Sequence, residues 1–92
     1  MTQLHELTPP PDAEQQGGHE VLRAFVVEGA LSISLQRAFD EPGTWGFLLA
    51  DIARHVSDVY AKETGKTASE VLQDISRQFA IRADVGETDA IN

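Results

Sequence analysis

Val21-Leu22-Arg23-Ala24-Phe25-Val26-Val27-Glu28-Gly29-Ala30-Leu31-Ser32-Ile33-Ser34-Leu35 is the stretch that decides the fold. Its first half is rich in β-branched and aromatic side chains, Gly29 punctuates it, and residues 31–35 alternate strictly between apolar and polar. That period of two belongs to a half-exposed strand, and two such runs around a glycine-bearing turn read as a β-hairpin. With a two-residue loop, Glu28-Gly29 or Gly29-Ala30, the residues Leu22, Ala24 and Val26 share a face with Leu31, Ile33 and Leu35. Arg23, Phe25 and Val27 then lie beside Ser32 and Ser34. A three-residue loop carries Arg23, Phe25 and Val27 to the leucine face instead, so one residue of loop length decides whether Phe25 faces the core or a partner.

Toward the C-terminus the period changes from two to that of a helix. Asp40 to Thr44 is rich in helix-start chemistry, with Asp40 and Thr44 as candidate caps and Pro42 compatible with a first turn. The spacing predicts a helix running to about Thr64 and stopping at Gly65, the residue suited to a left-handed cap. At ~100° per residue, Trp45, Leu48, Leu49, Ile52, Val56, Val59 and Tyr60 fall in one arc of roughly 120°, a face expected to be core. A second stripe, Gly46, Ala50, Ala53, Ser57 and Ala61, is built from small residues that let another helix approach closely. Thr67-Ala68-Ser69-Glu70 has the form of a capping box, and Ala68, Val71, Leu72, Ile75 and Phe79 make an apolar stripe behind it. A second helix over about 68–82 follows, joined to the first as an αα-hairpin. The fold class expected is α+β in the order ββαα.

The ends are different. Residues 1–18 include Pro9-Pro10-Pro11 and Gln15-Gln16-Gly17-Gly18 with little apolar surface, and read as a flexible acidic arm with a stiff polyproline patch. Residues 19–83 are the single small domain, and 84–92 an acidic tail without an apolar pattern. Of the formal charge of −8, residues 21–82 hold eight acids against seven bases, so the body is nearly neutral. Nucleic acids and anionic membranes are met by clustered Lys and Arg, and no such cluster is present. No run approaches the ~20 apolar residues that a membrane helix needs, which leaves a cytoplasmic location as the expectation. With no cysteine in the chain, disulfides, thiolate nucleophiles and cysteine-based zinc sites are excluded together.

A two-stranded hairpin is marginal in water, and two helices can cover only one of its faces. A body of this size barely offsets conformational entropy with its own burial, so the expected completion is a homodimer. Three surfaces can serve it: the strand edges, a sheet face bearing Phe25, or the small stripe with Ala50, Ala53 and Ser57.

One constellation suggests chemistry. Asp51, His55, Asp58 and Lys62 follow at spacings of four, three and four beside the apolar arc. Two carboxylates flanking an imidazole can bind a small ligand or a divalent cation, or form a base with its orienting acid. The same stripe is also what a solvated helix face laced with opposite charges looks like. Ser32 and Ser34 lack a nucleophile elbow, Gly17-Gly18 and Gly43 lack the lysine of a phosphate loop, and Trp45 and Tyr60 belong to the arc expected to be core. No cofactor is implied.

Leu22-Arg23-Ala24, Phe39-Asp40 and above all Trp45-Gly46-Phe47-Leu48-Leu49-Ala50-Asp51-Ile52-Ala53-Arg54-His55 resemble a family of short bacterial proteins known only as a domain of unknown function. The resemblance covers about residues 20–80 and implies a stand-alone α+β module with no catalytic residue to transfer. The reading that results is a non-enzymatic, self-associating or protein-interaction module. Its rivals are a ligand- or metal-dependent site on Asp51, His55 and Asp58, and a subunit that a different protein completes.

Overall fold

The computed structural model describes residues 3–84, in the order α1 (Pro11–Gln16), β1 (Leu22–Val27), β2 (Ala30–Leu35), α2 (Gly43–Glu63) and α3 (Ala68–Ala83). The hairpin followed by two helices is the expected α+β arrangement. The chain divides into two compact units, residues 1–40 and 41–92, with the boundary inside the span that the sequence assigns to one domain. Of the acidic tail over 84–92, all but Asp84 lies outside the described residues.

In the first unit β1 and β2 pair antiparallel, with Leu22 opposite Leu35, Ala24 opposite Ile33 and Val26 opposite Leu31. The loop is therefore the two-residue Glu28-Gly29, and the leucine face is Leu22, Ala24, Val26, Leu31, Ile33 and Leu35. Both loop residues have positive φ, 51° at Glu28 and 82° at Gly29, the backbone of a type I′ turn whose twist matches the strands. Glycine adopts that conformation freely, whereas a glutamate is strained there. Glu28→Asn raises stability by about 0.5 kcal/mol, because asparagine tolerates the left-handed region, and a higher urea midpoint at unchanged slope is the expected reading.

Phe25 lies on the other face, opposite Ser32. Above its ring, at 5.9 Å from the centroid, sits the Arg23 guanidinium. Arg23 also pairs with Glu20 at 2.9 Å and with Glu6 at 3.0 Å. Hydrogen bonds to those two carboxylates, Glu20 first, raise the guanidinium above its ordinary range. The ladder is extended past the strands by the Gln36 amide N–H donating to the Val21 carbonyl at 3.2 Å, while the Gln36 side chain donates to the Glu20 carbonyl at 2.8 Å. Within the segment expected to be a flexible arm, α1 makes a short helix that starts on Pro11, where the fixed φ suits a first turn. It buries no side chain, so it adds local order without adding to a core.

The second unit is the αα-hairpin. Two boundary expectations change here. Asp40 does not cap α2, whose N-cap is Pro42 with no side-chain cap; backbone turns from Thr44 to the Glu41 carbonyl and from Trp45 to the Pro42 carbonyl close the start. Gly65 is not a left-handed cap either. Thr64, in extended conformation, ends the helix by donating both its N–H, at 2.8 Å, and its hydroxyl, at 2.7 Å, to the Tyr60 carbonyl. A threonine that satisfies the last turn locally removes the need for a left-handed glycine.

The capping box at α3 forms as expected. The Glu70 N–H donates to the Thr67 hydroxyl oxygen at 3.1 Å, and the Thr67 N–H donates to the Glu70 carboxylate at 2.9 Å. Accepting that backbone N–H lowers the Glu70 pKa from its ordinary 4.5. A depressed carboxylate contributes stability above its unfolded pKa and loses it as pH falls through the folded value. The thermal midpoint of the native chain accordingly exceeds that of Glu70→Gln at pH 7, and the difference shrinks as pH falls below the ordinary carboxylate range and through the lowered folded value.

No helix is long and apolar enough to cross a membrane among the described residues.

Candidate functional site

The face of α2 that meets α3 is the small-residue stripe. Ser57 is 2 % exposed, and Ala53 and Ala61 are half-buried on either side of it. From α3, Val71 at 6 % exposure and the half-buried Ala68, Leu72 and Ile75 complete this contact layer. The Ser57 hydroxyl donates to the Ala53 carbonyl one turn back at 2.8 Å, so it is satisfied within its own helix and makes no demand on α3. Small side chains let the axes approach, which is what the stripe was expected to do. The helix that uses it is the chain's own α3, so Ala53 and Ser57 are taken up inside the hairpin. Ala50 lines a shallow apolar groove beside them, with Gly46, Leu49, Leu72 and Phe79.

The arc expected to be core is the correction of largest consequence. Trp45 and Leu48 are half-buried, but Leu49, Ile52, Val56, Val59 and Tyr60 are exposed, Ile52 at 39 %. At ~100° per residue the centre of the arc stands about 120° around α2 from the small stripe, so α3 cannot cover both. Among the described residues Val71 is the one buried apolar side chain. The leucine face of the β-hairpin shows the same character, with Val26 at 78 % and Leu31 at 71 % exposure. Isolated exposed leucines are ordinary; rows of them along one face make an apolar patch of the kind found at interaction surfaces.

Asp51, His55, Asp58 and Lys62 all lie exposed along α2. None of the four side chains makes a hydrogen bond or an ion pair within the described residues. Nor do any three His, Asp or Glu side chains converge into a metal-holding group there. An imidazole becomes a useful base when a carboxylate orients it and water is kept away, and this stripe provides neither within one chain. The four side chains lie beside the apolar arc and open to solvent.

Sequence reasoning placed the interface on Phe25, Ala50, Ala53 and Ser57 and assigned the arc to the core. The signal that separates the two was present: α2 carries two burial-competent faces, while the chain has one long helix left to cover them. Small residues go to the closer neighbour, and the large ones are left over.

The chain as a whole has relatives among known proteins. Residues 6–85 match the family described as a domain of unknown function, DUF5076. The chain is similar, at 43% identity and a TM-score of 0.75, to a protein of the photosynthetic bacterium Rhodopseudomonas palustrus CGA009 provisionally described as a pyruvate dehydrogenase. The likeness covers 95% of this chain and 90% of that one. No curated protein matches.

Proposed function

This chain belongs to the DUF5076 family, a domain of unknown function, and from that premise we propose that it is a non-enzymatic, self-associating module whose working surface is the apolar arc of α2, covered by a second copy of the same chain. The observation that carries this reading is the imbalance of burial: one apolar side chain, Val71, is buried among the described residues while the arc is left in water. Even with the half-buried Ala53, Ala61, Ala68, Leu72 and Ile75 the contact of α2 with α3 leaves most of the larger apolar side chains of α2 uncovered, and the arc is the surface that association covers. A second copy is the occupant that the surface itself favours, since the arc is one continuous stripe on a helix of 21 residues and a two-fold axis sets it against an identical stripe.

The dehydrogenase in the name of the similar structure is not part of this reading. Asp51, His55 and Asp58 are open to solvent and unpaired with one another, and oxidative chemistry on a small acid needs groups held in a sheltered cleft. Light scattering coupled to size exclusion on the full chain tests the proposal. The expected mass is twice the 10.0 kDa of one chain and is independent of added divalent metal. A single-chain mass at every concentration overturns it and points to a foreign subunit as the cover.

A further inference from the structure

Resting on that reading, we infer that the two copies of α2 lie antiparallel, with the two-fold axis crossing the arc midway between Ile52 and Val56, at the height of residue 54, so that the Glu41 end of each helix faces the Lys62 and Lys66 end of its mate. Three observations bear on this arrangement, each independent of how strongly the copies bind: the first defines the seam and its register, and the second and third choose the orientation.

The first is the spacing on the arc. Trp45, Leu49, Ile52, Val56 and Val59 follow at intervals of four, three, four and three, the alternation that lets two helices interlock along a shared seam. The midpoint of that run is Ile52, and the midpoint of α2, Gly43 to Glu63, is Ala53, one residue from the proposed axis. An antiparallel pair centred there brings Ile52 against Val56 and Leu49 against Val59, apolar on apolar through the middle of the seam.

The second is what comes next in the repeat. Four residues past Val59 the seam reaches Glu63, a carboxylate in line with the apolar positions. Parallel copies set the two Glu63 side chains against each other beside the apolar seam, where like charges repel at short range. Antiparallel copies separate them by nearly the length of the helix and set each near Trp45 of the mate. That end of α2 has no side-chain cap and no acid in its first turn, so a carboxylate arriving there meets the positive end of the helix dipole.

The third is the polarity of charge along the unit. Glu41 precedes α2, whereas Lys62 lies in its last turn and Lys66 follows it. Neither Glu41 nor Lys62 forms an ion pair within the described residues, so both are available to the mate. Parallel pairing gathers like charges at each end and aligns the two dipoles; antiparallel pairing matches opposite charges and opposes the dipoles.

The chain has no cysteine, so a single introduced cysteine reports one position without interference. Gly65 is suited to it, because a side chain added there meets nothing within 4 Å. At 1.5 Å rise per residue and 8–10 Å between axes, spin labels on the full-length Gly65→Cys dimer are expected about 33 Å apart in the antiparallel pair and about 10 Å apart in a parallel one. Gly43→Cys, also in open space and equally far from the axis on the other side, is expected to give a similarly long distance. A long distance from both variants supports the inference. A short distance from either overturns the orientation while leaving the dimer in place. A monomer by light scattering overturns the proposed function itself, and the two failures are thereby told apart.

Discussion

Ile52→Glu abolishes the dimer. The side chain sits in the middle of the arc, so a two-fold pair with this substitution sets two carboxylates into the part of the seam most remote from water. A buried charge without a partner costs several kcal/mol even after relaxation. The burial of the native isoleucine is lost as well, worth about 1 kcal/mol for a side chain that is 39 % exposed in one chain. Together these weaken association by at least ~1,000-fold, which is about 4 kcal/mol. Analytical ultracentrifugation at micromolar chain concentration is expected to show one species of single-chain mass. Because the proposed second copy stabilises the helical hairpin by mass action, the thermal midpoint falls as well and loses its dependence on concentration. Arg54→Glu is the control. It stands on the opposite side of α2 from the arc and leaves the mass unchanged; a parallel loss of dimer in both variants would mean that charge on any face of α2 disrupts the fold and that the arc is not the interface.

Ser57 gives the second large effect, and its two substitutions are expected to diverge. Ser57→Ala changes stability by less than about 0.5 kcal/mol, because the hydroxyl is bonded to its own helix and leaves no unmatched partner when removed. Ser57→Leu introduces three more carbon atoms where the side chain is 2 % exposed against α3, and overpacking of that kind costs about 1–3 kcal/mol. In a unit with so little buried surface this is a large share of the total. Urea unfolding followed by circular dichroism is expected to leave the alanine variant at the native midpoint and shift the leucine variant well below it. Equal midpoints for the two would show that α3 does not pack closely on the small stripe.

The two strands, their turn and the αα-hairpin were legible in the sequence because each is dictated locally. Period-two alternation, the Glu28-Gly29 turn and the Thr67 to Glu70 box are interactions among residues a few positions apart. Loop length fixed the faces of the hairpin once Glu28 was seen to adopt positive φ, a conformation that nothing about glutamate advertises. The end of α2 was misjudged because Thr64 and Gly65 both end helices well, and the side-chain hydroxyl prevailed. The assignment of the arc failed for a different reason. A hydrophobic stripe says that a face is to be covered and is silent on whether the cover is the same molecule, and the competition between two adjacent stripes of α2 for one α3 is settled by how closely the axes can approach. The charged stripe of Asp51, His55 and Asp58 was legible as a pattern, yet its chemistry depends on shelter, a property of the assembled surface that spacing does not encode.

The Arg23 guanidinium holds Glu6, Glu20 and the ring of Phe25 at once, which makes it a charged latch between the N-terminal segment and the β-hairpin. All of its bonds are ionic or cation-to-ring, and all lie within reach of solvent, so they weaken together as salt screens them. The contacts that run through Arg23 to Glu6 and Glu20 thus respond to ionic strength, whereas the neutral hydrogen bonds from Gln36 to the Glu20 and Val21 carbonyls do not, so salt loosens Glu6 first and leaves the ladder and its extension in place.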